Sequence, residues 1–156
     1  MIQLSIPGFK DLEVEHLVLD YNGTLALDGA LLPGVAEALR ELAAGVRVHV
    51  LTADTRGNCG ERLAGLPVTV SVVEGRPEDQ AKLAYIMDLG PRACACVGNG
   101  TNDRLMFERC GLAVAVLGPE GLAVKALEEA DLLVADVLSA LDLFRNPLRL
   151  MAGLRR

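Results

Sequence analysis

The apolar run His16-Leu-Val-Leu stops on a carboxylate, Asp20, and is followed at once by Tyr-Asn22-Gly23-Thr24. An unbroken apolar stretch of this kind reads as a strand buried on both faces, and such strands belong to parallel sheets covered by helices. Asp20 then stands at a strand's carboxyl end, where open α/β sheets keep their ligand crevices. The same residues also suit a plain turn, since Asp and Asn bond their own backbone and Gly accepts positive φ. This stretch alone leaves both readings open. A second run, Cys94-Ala-Cys96-Val97, leads into Gly98-Asn99-Gly100-Thr101-Asn102-Asp103 and repeats the order of apolar strand, Gly-rich turn and acid. Neighbouring strand ends would bring Asp20 and Asp103 together, and two carboxylates with turn carbonyls suit a hard divalent cation that keeps several waters, Mg²⁺.

Around these runs, strands and helices alternate. Residues 2–6 form a short alternating strand closed by Pro7-Gly8, and residues 12–19 run into Asp20, so residues 1–13 are expected as an N-terminal hairpin on the sheet edge. Residues 25–32 turn about Asp28-Gly29. Pro33-Gly34 opens a helix with Val35, Ala38, Leu39 and Leu42 at helical spacing, and Gly45 ends it. A strand over 46–51 delivers Thr52, a short helix is expected over 56–63, and a strand over 68–73. Pro77 opens a helix with Ala81, Ala84, Tyr85 and Leu89 on one stripe, Lys82 beside it and Gly90 as its stop. Beyond Asp103 come a helix over 103–110, a strand over 112–117, a helix over 121–130, a strand over 132–135 and a helix over 137–144. This order gives βαβ units and right-handed crossovers, hence an α/β doubly wound domain with a mainly parallel sheet, spanning residues 1–156 as a single domain. The tail, residues 145–156, carries four arginines among Leu148, Leu150, Met151 and Leu154. A short basic amphipathic piece could meet a membrane surface or another subunit; the expectation is a helix folded back on its own domain. His16 and His49 each stand alone in their strands and are expected as hydrogen-bonded or edge histidines.

Composition narrows the partners. A chain of 156 residues is long enough for one well-cored domain and too short for two ordinary ones. Hydrophobic residues are 51% but aromatics only 3%, so the core is aliphatic and few rings remain to stack bases. A net charge of −6 argues against nucleic acid as the main partner, and any anion site must be local. No window has the length of a membrane span and the N-terminus lacks a basic segment followed by an apolar one, so a cytoplasmic protein without membrane partners is expected. Cys59, Cys94, Cys96 and Cys110 are few for a disulfide framework. Cys94-x-Cys96 puts two thiols on one strand face, which could seed a metal site, but no Cys-x-x-Cys pair or nearby His completes it; buried reduced thiols are expected.

The Gly98-x-Gly100-x-x-Asp103 turn lacks the third Gly of a dinucleotide-binding fingerprint, and no Gly-x-x-x-x-Gly-Lys-Ser/Thr occurs. Taken with Asp20-Tyr-Asn22-Gly23-Thr24, it resembles instead the haloacid dehalogenase-like (HAD) superfamily of aspartyl-phosphate enzymes, whose first motif is Asp-x-Asp-Gly-Thr and whose last is Gly-Asp-Gly-x-Asn-Asp. Two positions depart from that pattern, Asn22 and Asn99, each an amide where the family has a carboxylate. The segment after Asp103, with Leu112-Ala-Val-Ala-Val-Leu-Gly118 and Ala130-Asp-Leu-Leu-Val134, is also similar to the phosphorylation domain of P-type ATPases, which carry Thr at the position of Asn22.

The resemblance implies a Rossmann-like HAD core and a set of roles. Asp20 would be the nucleophile that becomes an aspartyl phosphate. Asn22 takes the place of the family's acid/base, with its backbone carbonyl toward a metal. Thr52 would hold a phosphoryl oxygen, and Lys82 would neutralise Asp20 and the phosphoryl group. Asp20, Asn22, Asn99 and Asp103 would hold Mg²⁺, while Gly23, Thr24, Thr52, Ala53, Lys82 and Asn102 would line the substrate. Thr52 lies 32 positions after Asp20 and Lys82 another 30 on, which leaves no room for a cap domain. An open site suits a phosphorylated macromolecule, or a small phosphorylated substrate covered by a neighbouring subunit or by the tail; a homo-oligomer is therefore expected. The implied activity is Mg²⁺-dependent phosphate hydrolysis, and the alternative is a binding or regulatory module that keeps the fold and turns nothing over.

Overall fold

The computed structural model describes residues 1–53 and 58–156. Strands β1 (Ile2–Ser5) and β2 (Asp11–Val14) pair antiparallel, and β3 (His16–Asp20) follows at once. The two-residue strands β4 (Ala26–Leu27) and β5 (Ala30–Leu31) close a small hairpin on Asp28 and Gly29, both at positive φ, the turn that Asp-Gly favours. The chain continues through α1 (Val35–Leu42), β6 (Arg47–Thr52), α2 (Cys59–Arg62), β7 (Thr69–Val72) and α3 (Glu78–Leu89). It ends with β8 (Cys94–Gly98), α4 (Arg104–Arg109), β9 (Leu112–Val116), α5 (Val124–Leu127), β10 (Leu132–Val134), α6 (Val137–Arg145) and α7 (Leu148–Leu154).

One sheet in the order β10-β9-β8-β3-β6-β7 carries the domain, and every pairing in it is parallel. The side chains of β3 divide between two cores. Leu17 and Leu19 pack with Leu39, Val50, Leu141 and Leu150, whereas Val18 packs with Leu51, Ile86, Cys96 and Met106. Burial on both faces is what the unbroken apolar run dictates, and the α/β doubly wound architecture stands as expected, with no cap domain among the described residues. Strand order reverses at β3, since the chain leaves it for β6 and β7 on one side and returns to β8 on the other. The crevice of such a sheet opens outside the carboxyl ends at that switch point. The Leu19↔Val97 register sets Gly98 beside Asp20, and Asp20↔Leu51 leaves Thr52 one residue beyond.

Several expectations are corrected. The N-terminal hairpin is not on the edge of the main sheet. It forms a separate two-stranded sheet, because Glu15 is spent joining the amino ends of the neighbouring strands, its N–H donating to Ala93 O and its C=O accepting from Arg47 N. Along α3 the buried positions are Ala81, Lys82 and Ile86, so Lys82 sits in the interior face rather than beside it. The expected helix over 56–63 falls partly outside the described residues; α2 covers Cys59–Arg62. The tail folds back as α7, with Leu150 fully buried and Arg156 N donating to Pro7 O at 3.0 Å. It therefore sits by the hairpin at the amino end of the sheet, and the expectation that it covers the crevice does not hold. His16 and His49 are hydrogen-bonded as expected, and to each other: His16 Nδ1 lies 2.9 Å from His49 Nε2, and His49 Nδ1 lies 2.9 Å from the Tyr85 hydroxyl, which accepts from Ser71 Oγ. Burial pushes His49 down to about 4, with His16 and Arg47 adding to it, and burial also lowers His16. None of the four cysteines is in a disulfide, and burial pushes the Cys94 thiol up to about 12. No described helix is long and apolar enough to cross a membrane.

Candidate active site

Asp20 ends β3 only 3% exposed, and Lys82 reaches it from α3, wholly buried. Lys82 Nζ donates to Asp20 Oδ1 at 2.6 Å and to Asp103 Oδ1 at 2.8 Å, and Glu78 Oε1 lies 3.4 Å away, one helical turn earlier. Three carboxylates thus converge on one ammonium. Burial alone would discharge that lysine, but the Asp20 and Asp103 carboxylates overcome it and hold its pKa above the ordinary value. Asp20 is driven toward its neutral form: burial first, then the Asp103 charge, pushes its carboxyl up to about 7 against the pull of Lys82 and Thr24. The site is short of positive charge.

The remaining oxygens point the same way. Thr24 Oγ1 lies 3.0 Å from Asp20 Oδ2 and 3.1 Å from Asn99 Oδ1, so one hydroxyl proton faces two acceptors. Asp103 Oδ2 accepts from Asn99 N at 3.0 Å and Gly100 N at 2.9 Å, which fixes the loop after β8. Donors here are oxygens alone, carboxylate and amide, an inventory that fits Mg²⁺ and not a thiolate or imidazole metal. Among the described residues no group of three His, Cys, Asp or Glu side chains could enclose a cation, so the seat would draw on amide and backbone oxygens as well.

Of the remaining residues singled out by sequence, Thr52 closes β6 almost fully buried, and Asn22 Nδ2 donates to its hydroxyl at 3.4 Å. Gly23 carries the first turn at φ +78°. Asn22, Asn99 and Asn102 line a cleft of about 540 Å³ with Gly100, Glu120 and Gly121. Ala53 follows Thr52, half-buried, but is not among the residues lining that cleft. Two residues that sequence reasoning passed over stand beside these: Glu78, one turn before Lys82, and Glu120, in the turn after β9. Gly118-Pro119-Glu120-Gly121 follows an apolar strand just as Asn22-Gly23 does, and that shared pattern of strand, Gly turn and acid was its signal.

The family model for haloacid dehalogenase-like hydrolase matches residues 2–111. A protein of Methanocaldococcus jannaschii, itself uncharacterized, is 41% identical over 59 residues, which are 38% of this chain; the matched segment spans 63% of that relative's length. Among solved structures, the cobalt-bound deoxy-D-mannose-octulosonate 8-phosphate phosphatase of Haemophilus influenzae superposes with a TM-score of 0.68 at 16% identity, over 85% of this chain and 87% of that one. The corresponding phosphatase of Moraxella catarrhalis, solved with magnesium, phosphate and its sugar acid, gives 0.69 at 16% identity, over 91% and 94%. A zinc-transporting P-type ATPase gives 0.62 at 25% identity, over 79% of this chain and 20% of that one.

Proposed function

The chain belongs to the haloacid dehalogenase-like hydrolases, and from that premise we propose that it is a Mg²⁺-dependent phosphohydrolase acting through Asp20 on a small phosphorylated substrate. The observation that carries this reading is the contact of the Asp20 carboxylate, 2.6 Å from a wholly buried ammonium at the switch point of the sheet. A carboxylate held there attacks phosphorus, the phosphorus–oxygen bond of the ester breaks, and water later cleaves the aspartyl phosphate, so one hard displacement becomes two. Lys82 balances charge on Asp20 and on the phosphoryl oxygens, and Thr52 offers a hydroxyl at the end of the adjacent strand. Asp20 Oδ2, the Asn22 backbone carbonyl, the Asn99 amide oxygen and Asp103 would hold Mg²⁺, which supplies charge stabilisation to the transferred group. Asn22 cannot give a proton, so acyl and aryl phosphates, whose leaving groups need none, suit this site best.

The test is phosphate release from a panel of aryl, acyl and alkyl phosphates with and without Mg²⁺. The parent should turn over the activated esters only with Mg²⁺, and Asp20→Asn should release nothing. Equal rates for the two proteins would remove Asp20 from the chemistry. Asp103→Ala should abolish Mg²⁺ binding measured by calorimetry, because it takes away one of the two buried carboxylates and frees the loop those amides hold; an affinity equal to the parent's would show that the cation sits elsewhere. The second reading, a regulatory module, is favoured by one feature: both departures from the family pattern, Asn22 and Asn99, are engaged in hydrogen bonds that hold neighbouring segments together.

A further inference from the structure

The cleft beside the Asn22-Gly23 turn is poor in positive charge. Asn22, Asn99 and Asn102 line it with amides, and Glu120 is the one ionisable side chain among the described residues that line it. The ammonium of the site, Lys82, is wholly buried and engaged by Asp20 and Asp103. Lys125, on α5 just past the cleft, is held by Glu128 at 2.9 Å. A leaving group with a second negative charge would thus meet a carboxylate there, and no cation among the described lining residues. Short steps tie Glu120 to the turn that follows Asp20. Asp20 Oδ2 lies 3.0 Å from Thr24 Oγ1, and that hydroxyl lies 3.1 Å from Asn99 Oδ1. A Cβ on Gly23 would stand 3.2 Å from Asn99 Oδ1 and 2.7 Å from Glu120 Oε2, so amide and carboxylate approach the same bare side of Gly23. A Cβ on Gly118 would lie 2.7 Å from Gly23 O, so the turn that bears Glu120 presses directly on the one after Asp20.

Asn99 explains why that turn holds. Gly121 N donates to Gly118 O at 2.9 Å, closing the turn that carries Pro119 and Glu120. Asn99 Nδ2 donates to Gly121 O at 3.0 Å and its backbone oxygen accepts from Ala123 N at 2.8 Å, which clamps the segment that follows Glu120. An aspartate could not make the first of the Asn99 bonds, because a carboxylate has no donor to offer a carbonyl. The clamped segment also puts Leu122 and Ala123 on the cleft wall beside Glu120. A short aliphatic or aryl arm suits that wall, and a cation at its end suits the carboxylate. We propose that the substrate is a phosphate monoester whose leaving group carries an ammonium, and that Glu120 selects it by pairing with that charge. This inference rests on the hydrolase reading above and adds to it the class of the leaving group. A cleft lined by charge of one sign raises the local concentration of ligands of the other. The ammonium also draws electrons from the ester oxygen, which eases its departure where residue 22 has no proton to give.

Phenyl phosphates that differ only in the para substituent, aminomethyl, hydroxymethyl or carboxylate, read the preference as kcat/KM with Mg²⁺ present. Dividing the aminomethyl ester's value by the hydroxymethyl ester's, protein by protein, removes the intrinsic reactivity of the two esters. In Glu120→Gln that ratio should fall about twofold to fivefold, the range of an exposed ion pair, with the change in KM. In Glu120→Lys it should fall by about tenfold or more, because repulsion replaces attraction, and the carboxylate ester should gain on the other two. Glu37→Gln, which removes an exposed charge on α1, should keep the parent's ratio, and this separates pairing in the cleft from a change in net charge. A fall confined to the Glu120 variants upholds the proposal. Unchanged ratios in both of them, beside a parent that hydrolyses the esters, overturn it and leave hydrolysis through Asp20 standing, as does an equal fall in Glu37→Gln. A parent that releases phosphate from none of the esters removes the hydrolase reading and this proposal with it.

Discussion

Lys82→Met should be among the most damaging single replacements in the chain, and the damage should grow with pH. The ammonium is wholly buried between Asp20 and Asp103, and its removal leaves two interior carboxylates with no cation between them. Breaking a buried ion pair from one side costs about 3–5 kcal/mol, against a total stability of about 5–15 kcal/mol. At roughly 2–4 °C per kcal/mol for a domain of this size, the melting temperature should fall by about 10 °C or more. The pH dependence follows from the direction of the Asp20 shift. Burial and Asp103 already raise its carboxyl to about 7 in the folded protein, and without Lys82 it rises further. A carboxyl whose folded pKa lies above its unfolded value contributes fully below the unfolded pKa and loses that contribution as pH rises through the folded one. Melts of Lys82→Met should therefore approach the parent's near pH 5 and fall well short at pH 8. Phosphate release should drop by about 10²–10³ or more, the scale of losing one charge-stabilising donor. A melting temperature equal to the parent's, or a deficit unchanged between pH 5 and 8, would contradict the charge arrangement described here.

The same lysine shows where sequence reasoning stops. Its place beside the apolar stripe of α3 followed from helical period, while its pairing with Asp20 was expected only through the resemblance; a charged residue enters an interior face where a buried partner is supplied. The partners, Asp20 and Asp103, lie 62 and 21 positions away, and no helical period reports them. The stripe itself therefore came out rotated: Ile86 is buried and Ala84 only half so. What the sequence did carry was the pair of strand-turn-acid segments, because an apolar run of fixed polarity followed by Gly is a local pattern that places an acid at a strand end whatever the strand's neighbours are. The approach of Asp20 and Asp103 followed once the sheet was taken as parallel. The His16–His49 contact did not, since it depends on β3 lying next to β6 and on both rings turning to the α3 side. The Asp28-Gly29 hairpin was legible from two residues, and the separation of β1 and β2 from the main sheet was not, because alternation shows a strand without showing its partner. Glu120 was not legible for a different reason: that its turn meets the one after Asp20 depends on the packing of two loops distant in sequence.

Asn22→Asp should raise turnover of alkyl phosphates by about 10², the factor a positioned acid supplies to a poor leaving group, and should change aryl phosphate turnover little. Asn22 is half-buried and lines the cleft, with its amide on the Thr52 hydroxyl at 3.4 Å. A carboxyl of the same length would take that hydrogen bond from Thr52 instead of giving one, so the side chain keeps its position. Its charge state also favours the role. Asp20 stands two residues away and Glu120 lines the same cleft, and neighbouring negative charge raises a carboxyl pKa toward neutrality, where a general acid is both protonated and ready to transfer its proton. The gain should appear in kcat, since the leaving oxygen needs a proton only as its bond breaks. Any phosphoenzyme that accumulates in the parent as a burst on aryl phosphates should shrink in the variant, because the same group then activates the water that clears it. The added charge will also draw on the cation, so Mg²⁺ affinity must be measured on both proteins and turnover compared at saturation. If parent and Asn22→Asp are both folded, both bind Mg²⁺ and both are inert on every ester, the missing acid was not what held the site back, and the chain is a regulatory module built on a hydrolase frame.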